Sequence, residues 1–136
     1  MQIDYMLIVV ASLAQFVLGA VWYSPLMFGK WWMEIMEVTH VPQEELKRIQ
    51  KQMAPFYALQ LVLTLFSTFA LANLTIATPF SIYHVAFWIW LSFIVPTQIS
   101  GVVWANTKKR FWAKQIFVMT TYQFVGLMLA AFILSM

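Results

Sequence analysis

Four long apolar stretches, at about residues 3–22, 54–73, 79–104 and 113–135, set the pattern of the chain. Each is long enough for the ~20 helical residues that cross a hydrocarbon core. Neither strict alternation nor the ~10-residue segments of a transmembrane barrel occur, and a backbone without that closure satisfies its hydrogen bonds in lipid only as helix. The first stretch has no Lys or Arg ahead of it and is longer than a signal-peptide apolar core, so it reads as an uncleaved span.

Composition sharpens this picture. Of 136 residues, 62% are hydrophobic, 18% aromatic and only 10% charged. Thirteen charged side chains cannot clothe a soluble domain of this size, which excludes a soluble enzyme. The aromatic content excludes a disordered chain. A net charge of +3, clustered in two loops, does not suit nucleic acid. No cysteine is present, so disulfides, thiolate metal sites and a cysteine nucleophile are absent. The expected fold is an all-α integral membrane protein, one domain over residues 1–136 with four transmembrane helices in a bundle. The lipid bilayer is its expected partner.

The only sizeable polar region is residues 24–53. Its second half, from Pro42, predicts a short amphipathic helix with Glu44 and Glu45 in the first turn and Leu46, Ile49 and Met53 on one face, lying on the membrane surface. Pro55 suits the first turn of span two, and Thr78-Pro79 reads as the cap and first turn of span three.

All eight basic residues fall in two places: Lys30, Lys47, Arg48 and Lys51 between spans one and two, and Lys108, Lys109, Arg110 and Lys114 around the turn from span three to span four. By the positive-inside rule both loops belong in the cytoplasm and both termini outside, in a cell membrane such as a bacterial inner membrane. Trp22, Tyr23, Trp31, Trp32, Trp104, Phe111 and Trp112 then form the cytoplasmic aromatic belt, with Tyr5, Tyr83 and Trp88 near the outer one.

No Asp, Glu, Lys or Arg lies deep in a span, which argues against an ion-coupled pump. Each span instead carries a glutamine: Gln15, Gln60, Gln98 and Gln123. Counted at 1.5 Å per residue, they share a slab ~9–15 Å from the cytoplasmic end. Thr97 and Tyr122 lie close to it. The amides serve either as interhelical glue or as the lining of a polar pocket open towards the cytoplasm. Glue is expected of Gln15 and Gln60, and a pocket of Gln98 and Gln123, because Pro96, Thr97 and Tyr122 gather near that pair. His40 and His84 fall on opposite sides of the predicted bilayer and cannot share a metal within one chain. No nucleophile elbow, catalytic pair or haem-ligand pair is present, so neither catalysis nor a cofactor is expected.

Small residues mark close helix approach. Gly126 and Ala130 do so on span four, Ala11, Gln15 and Gly19 on span one, and Ser92, Pro96 and Ser100 on span three, where Pro96 also predicts a kink.

The block Gly19-Ala20-Val21-Trp22-Tyr23-Ser24-Pro25-Leu26-Met27-Phe28-Gly29-Lys30-Trp31-Trp32 resembles the G-x-x-W-Y-S-P-x-x-F-G-x-x-W signature of domain of unknown function family 1761. Pro42–Lys47, Trp90–Thr97 and Tyr122–Leu127 extend the likeness over nearly the whole chain, while the strongly basic turn Trp104–Arg110 departs from it. The resemblance implies four spans and no particular activity. Physically, Trp22 and Tyr23 anchor the span end, Pro25 stops the helix, and Gly29 is expected to adopt positive φ in a tight turn before Trp31 and Trp32. These aromatics, with Phe28, would also suit the rim of a pocket.

Two functions follow. One is binding or transport of a small organic or lipid-like molecule in the cytoplasmic half of the bundle, transport requiring a homo-oligomer. The other is an accessory role through helix contacts with a partner protein.

Overall fold

The computed structural model describes residues 2–136. Helix α1 spans Tyr5–Trp22, α2 Gly29–Ile35, α3 Gln43–Gln52 and α4 Ala54–Ala77. Helices α5 (Ile82–Ile89) and α6 (Val95–Trp104) are joined by the π turn Trp90–Ile94 into one span, and α7 covers Trp112–Leu134 after a 3₁₀ turn at Lys109–Phe111. The four membrane-length helices are Tyr5–Trp22, Ala54–Ala77, Ile82–Trp104 and Lys109–Leu134.

The helix ends have local causes. Asp4 caps α1, its carboxylate accepting from the Met6 and Leu7 amides at 3.0 and 3.3 Å. Span three starts later than Thr78-Pro79 predicts. Ser81 is the cap, accepting from the His84 amide at 3.3 Å, while Thr78 closes α4. The chain needs Thr78–Ser81 to reverse direction, so the proline falls in the turn. Pro55 does occupy the first turn of α4. At Pro96 the missing N–H and the ring's clash with the preceding turn are absorbed by the π turn just ahead of it.

Helix α7 is the centre of the bundle, packing against α1 on one side and α5 and α6 on the other, while α4 leans on α1 and α5. Only 17% of the most apolar stretch of span three is buried, against 39% for span four, so span three gives most of its surface to lipid. The buried core lies towards the end that holds both termini: Ile8 and Ala11, Leu71 and Ala72, Val85 and Ala86, Leu127 and Ala130. Near the other end the first two turns of α4, residues 54–60, are exposed on every side.

At that loop end α2 folds back on α7, a helix the polar pattern does not announce. Ion pairs hold the first loop to the third: Lys114 Nζ to Glu34 Oε2 at 3.3 Å, and Lys108 Nζ and Arg110 Nη2 to Glu37 Oε1 at 2.6 and 3.9 Å. The basic turn is therefore partly neutralised from within the chain. Helix α3 has the predicted amphipathic character, and none of its residues is buried.

Glu37 has φ of 58°, the left-handed conformation that closes α2. The Val38 amide donates to the Met33 carbonyl at 3.0 Å and the Glu37 amide to that of Glu34 at 3.1 Å, the Schellman pattern in which glycine is usual. An L residue there costs roughly 1–2 kcal/mol. Glu37→Gly should accordingly be more stable than Glu37→Ala by about 1 kcal/mol in a melting assay, since both lose the ion pairs and only glycine removes the strain. The hydrogen bond from Lys108, with its charge, lowers the Glu37 pKa. Any stability this pairing adds is present above the carboxylate's ordinary value of 4.5 and fades as pH falls through the lowered folded value.

Candidate functional site

Gln15 is buried, with 8% of its surface exposed, where α1 faces α4. Its Nε2 donates to the Ala11 carbonyl at 3.2 Å and to Thr68 Oγ1 at 2.9 Å. Thr68 passes its own hydroxyl hydrogen to the Thr64 carbonyl at 2.8 Å, and Thr64 does the same to Gln60 at 2.8 Å. From α7 the Tyr122 hydroxyl donates to the Gln15 carbonyl at 3.2 Å. Gln15 thus ties α1 to α4 through its amide, and α7 to α1 through its backbone.

Beside this network is a cleft of about 340 Å³ between α4 and the π turn, floored by α1 and α7. Gln15, Gln60, Thr64, Ser67, Tyr122 and Gln123 supply its polar groups, and Leu63, Phe66, Leu71, Leu74, Phe93 and Ile94 much of its apolar wall. It opens sideways between Phe66 and Phe93, which are 72% and 70% exposed. Towards the loop end its lining reaches Gln60, which is itself exposed. No lining side chain is charged.

Gln98 and Thr97 are not on that lining. Helix α6 lies against α7, and Gln98 Oε1 is buried without a donor among the described residues, as is Gln115 Oε1. A π turn carries one residue more than the α-helical turn it replaces. Everything after it is rotated by about 100°, so a face counted from sequence before Pro96 does not continue beyond it. The predicted foursome is therefore divided: Gln15, Gln60 and Gln123 come together with Tyr122, and Gln98 stands apart. Gln115, half-buried with its Oε1 enclosed, is an amide that depth counting overlooks.

Gly126 and Ala130 are buried on α7, and Gly126 lies near the Gln15 side chain. Ser92, Pro96 and Ser100 are all exposed, so of the close approaches that the small-residue pattern allows, within the chain or between copies, they do not make the first. The role of Pro96 here is the local π turn.

The Trp22–Gly29 segment is a compact turn. Trp22 is buried and its Nε1 donates to the Val118 carbonyl of α7 at 3.1 Å. Ser24 Oγ donates to the Val21 carbonyl at 2.6 Å, and the Ser24 carbonyl accepts from the Gly29 amide at 2.8 Å. Pro25 occupies the exposed side of the turn. Gly29 does not have the positive φ expected of it. The need for glycine is steric instead, because a Cβ would lie 2.5 Å from the Ser24 carbonyl carbon and 2.6 Å from its oxygen. Gly19 meets a softer constraint: a Cβ there would lie 2.8 Å from the Tyr122 hydroxyl, the end of a side chain and not backbone.

The aromatic residues of the signature pack on one another and on α7. Phe28 meets Trp22 at 4.9 Å and Phe117 at 6.0 Å, and Tyr23 meets Trp32 at 4.8 Å and Tyr122 at 5.5 Å between ring centroids. Burial, reinforced by Tyr122, pushes the Tyr23 hydroxyl well above its ordinary pKa, so it stays neutral. Apart from Tyr122 these rings do not line the cleft. They join α1, α2 and α7.

A wider hollow of about 1050 Å³ at the opposite end is bordered by Asp4, Thr78, Ser81 and residues Leu134, Ser135 and Met136. It is the splayed rim of the four helix ends, and the Asp4 carboxylate is already engaged in capping α1. His84 stacks on Phe80 at 4.5 Å and His40 is exposed. Among the described residues no three His, Asp or Glu side chains are grouped to hold a metal.

The fold defines a four-span helical membrane protein with an uncharged cleft in the middle of its bundle. The sequence profile of the family described as protein of unknown function DUF1761 matches residues 6–135, and the chain belongs to that family. No curated protein and no solved structure matches it.

Proposed function

We propose that the protein is a membrane-embedded binding module for a small, uncharged, lipid-like molecule held between α4 and the π turn. The observation that carries this reading is the cleft itself, where amide groups of α1 and α7 face space walled by leucine and phenylalanine and open to the bilayer. About 340 Å³ lies within the range of about 300–1,000 Å³ usual for small-molecule sites. In a hydrocarbon setting, polar groups convergent on an apolar cleft favour a ligand with a neutral polar head. The basic loops orient the loop end to the cytoplasm and both termini outside, as in a bacterial inner membrane. If the molecule is moved across the membrane, association of several copies supplies the path.

Ala70→Phe places a ring in the cleft. Native mass spectrometry of wild-type protein released from membranes should show an adduct of lipid-like mass. In Ala70→Phe that adduct should fall to a small fraction while the melting temperature is maintained. Equal adducts in both proteins, or none in the wild type, would count against the reading.

A second reading, helix contact with a partner protein, is favoured by one feature. Beyond the π turn, Pro96, Ser100 and Gly101 leave part of the surface of α6 exposed without large side chains.

A further inference from the structure

The orientation of the Gln15 amide is fixed by its neighbours. The Ala11 carbonyl can only accept, so the atom facing it at 3.2 Å is the nitrogen. Thr68 has given its hydroxyl hydrogen to the Thr64 carbonyl and presents a lone pair to the same nitrogen at 2.9 Å. Both N–H groups are thereby used, and Oε1 is turned the other way. No group among the described residues donates to it. Unlike Gln98 Oε1 and Gln115 Oε1, it is not sealed from access. The residue is nevertheless more than nine-tenths buried, and it lines the cleft.

The opposite wall leaves room in front of that oxygen. Gly126 has no side chain, and a Cβ there would lie 3.7 Å from Oε1, at ordinary contact distance. The Gln123 amide, one turn away on α7, also lines the cleft and has no hydrogen-bond partner among the described residues. The fixed group offered to a ligand is therefore an acceptor, with an adaptable amide beside it and no charge nearby.

We infer that the cleft selects an uncharged amphiphile whose polar head donates a hydrogen bond, a long-chain alcohol, phenol or primary amide, with Gln15 Oε1 as the acceptor. This rests on the reading of the cleft as a ligand site and adds which head group it takes. An ester or ether head can accept from the Gln123 amide or the Ser67 hydroxyl but has only lone pairs to set against Oε1, which it leaves without a donor. A carboxylate would also bring a charge into a site with no cation to meet it. Desolvated polar sites discriminate strongly on this basis, because a mismatched ligand leaves both partners unpaired.

The test uses the full-length protein in lipid nanodiscs with three diazirine-bearing probes of equal chain length, an alcohol, its methyl ether and the matching carboxylate, each at the same mole fraction. Peptide mass spectrometry reads photolabelling of the α4 segment Leu63–Leu74. The alcohol should label it about five- to tenfold more than the ether, the factor for one buried hydrogen bond, and more than the carboxylate. Gly126→Ser puts a hydroxymethyl group beside Oε1 without crowding it, and should abolish the alcohol's advantage with the melting temperature unchanged. Gln15→Leu should abolish it too, but also cuts the bridge to Thr68, so Gly126→Ser is the deciding variant. Equal labelling by alcohol and ether, or carboxylate labelling as strong as alcohol, would overturn the head-group assignment and leave the cleft as a ligand site. Absence of cleft labelling by all three probes would overturn both.

Discussion

Gly29→Ala should destabilise the protein by about 3 kcal/mol or more, at or above the upper end for overpacking a tight site. The atoms a Cβ would meet are backbone: the Ser24 carbonyl carbon at 2.5 Å, its oxygen at 2.6 Å and the Tyr23 oxygen at 2.9 Å. No rotamer change can relieve them. The turn cannot open without losing the bond from the Gly29 amide to the Ser24 carbonyl and dislodging Phe28 from Trp22. Because Gly29 does not have positive φ, Asn should fail there as badly as Ala, whereas a left-handed site would accept it. Gly101→Ala is the matched control, with nothing within 4 Å of the added carbon, and should stay within about 0.5 kcal/mol of wild type. Denaturant titration of the three variants in one detergent measures the differences.

Trp22→Ala should cost about 3–5 kcal/mol, the range for truncating a buried aromatic residue. Trp22 is 6% exposed and lies where α1, the signature turn and α7 meet. Trp22→Phe retains most of the packing and removes only the bond from Nε1 to the Val118 carbonyl, so it should cost about 1 kcal/mol. A similar loss for both variants in the same titration would mean that the hydrogen bond, and not the ring, holds the joint. The signature residues Gly19, Trp22, Tyr23, Ser24, Phe28, Gly29 and Trp32 are thus explained chiefly as a joint between helices. A binding defect in any of them is expected to follow from loss of the fold.

The spans were readable because burial in lipid demands long apolar helices whatever their partners, and hydropathy needs no tertiary information. The level of each glutamine along its own helix is also legible, since it is a count of residues along an axis. Which way each amide points depends on rotation about that axis, and there counting alone failed at Gln98, beyond the π turn. Pro96 announced a kink, but not that the helix would absorb it with an extra residue. Thr78-Pro79 and Ser81 are both sound starts for span three, and only the path of the turn chooses between them. Helix α2 is seven residues long, too short for a period to show, and is held in place by α7. Nothing local marks Glu37 as left-handed, because its compensation comes from Lys108 and Arg110, some 70 residues further along. At Gly29 the tight turn is legible, but the reason for glycine is a clash with the Ser24 carbonyl and not the positive φ that the turn suggests.

The central claim is that the cleft between α4 and the π turn holds a lipid-like molecule. A benzophenone amino acid introduced at position 70, facing the cleft, tests it most directly when compared with one at Val17, which is 61% exposed on α1. After irradiation in intact membranes, position 70 should capture one or a few defined masses, while position 17 captures the bulk phospholipids in proportion to their abundance. The same spread of bulk phospholipids at both positions would contradict the account.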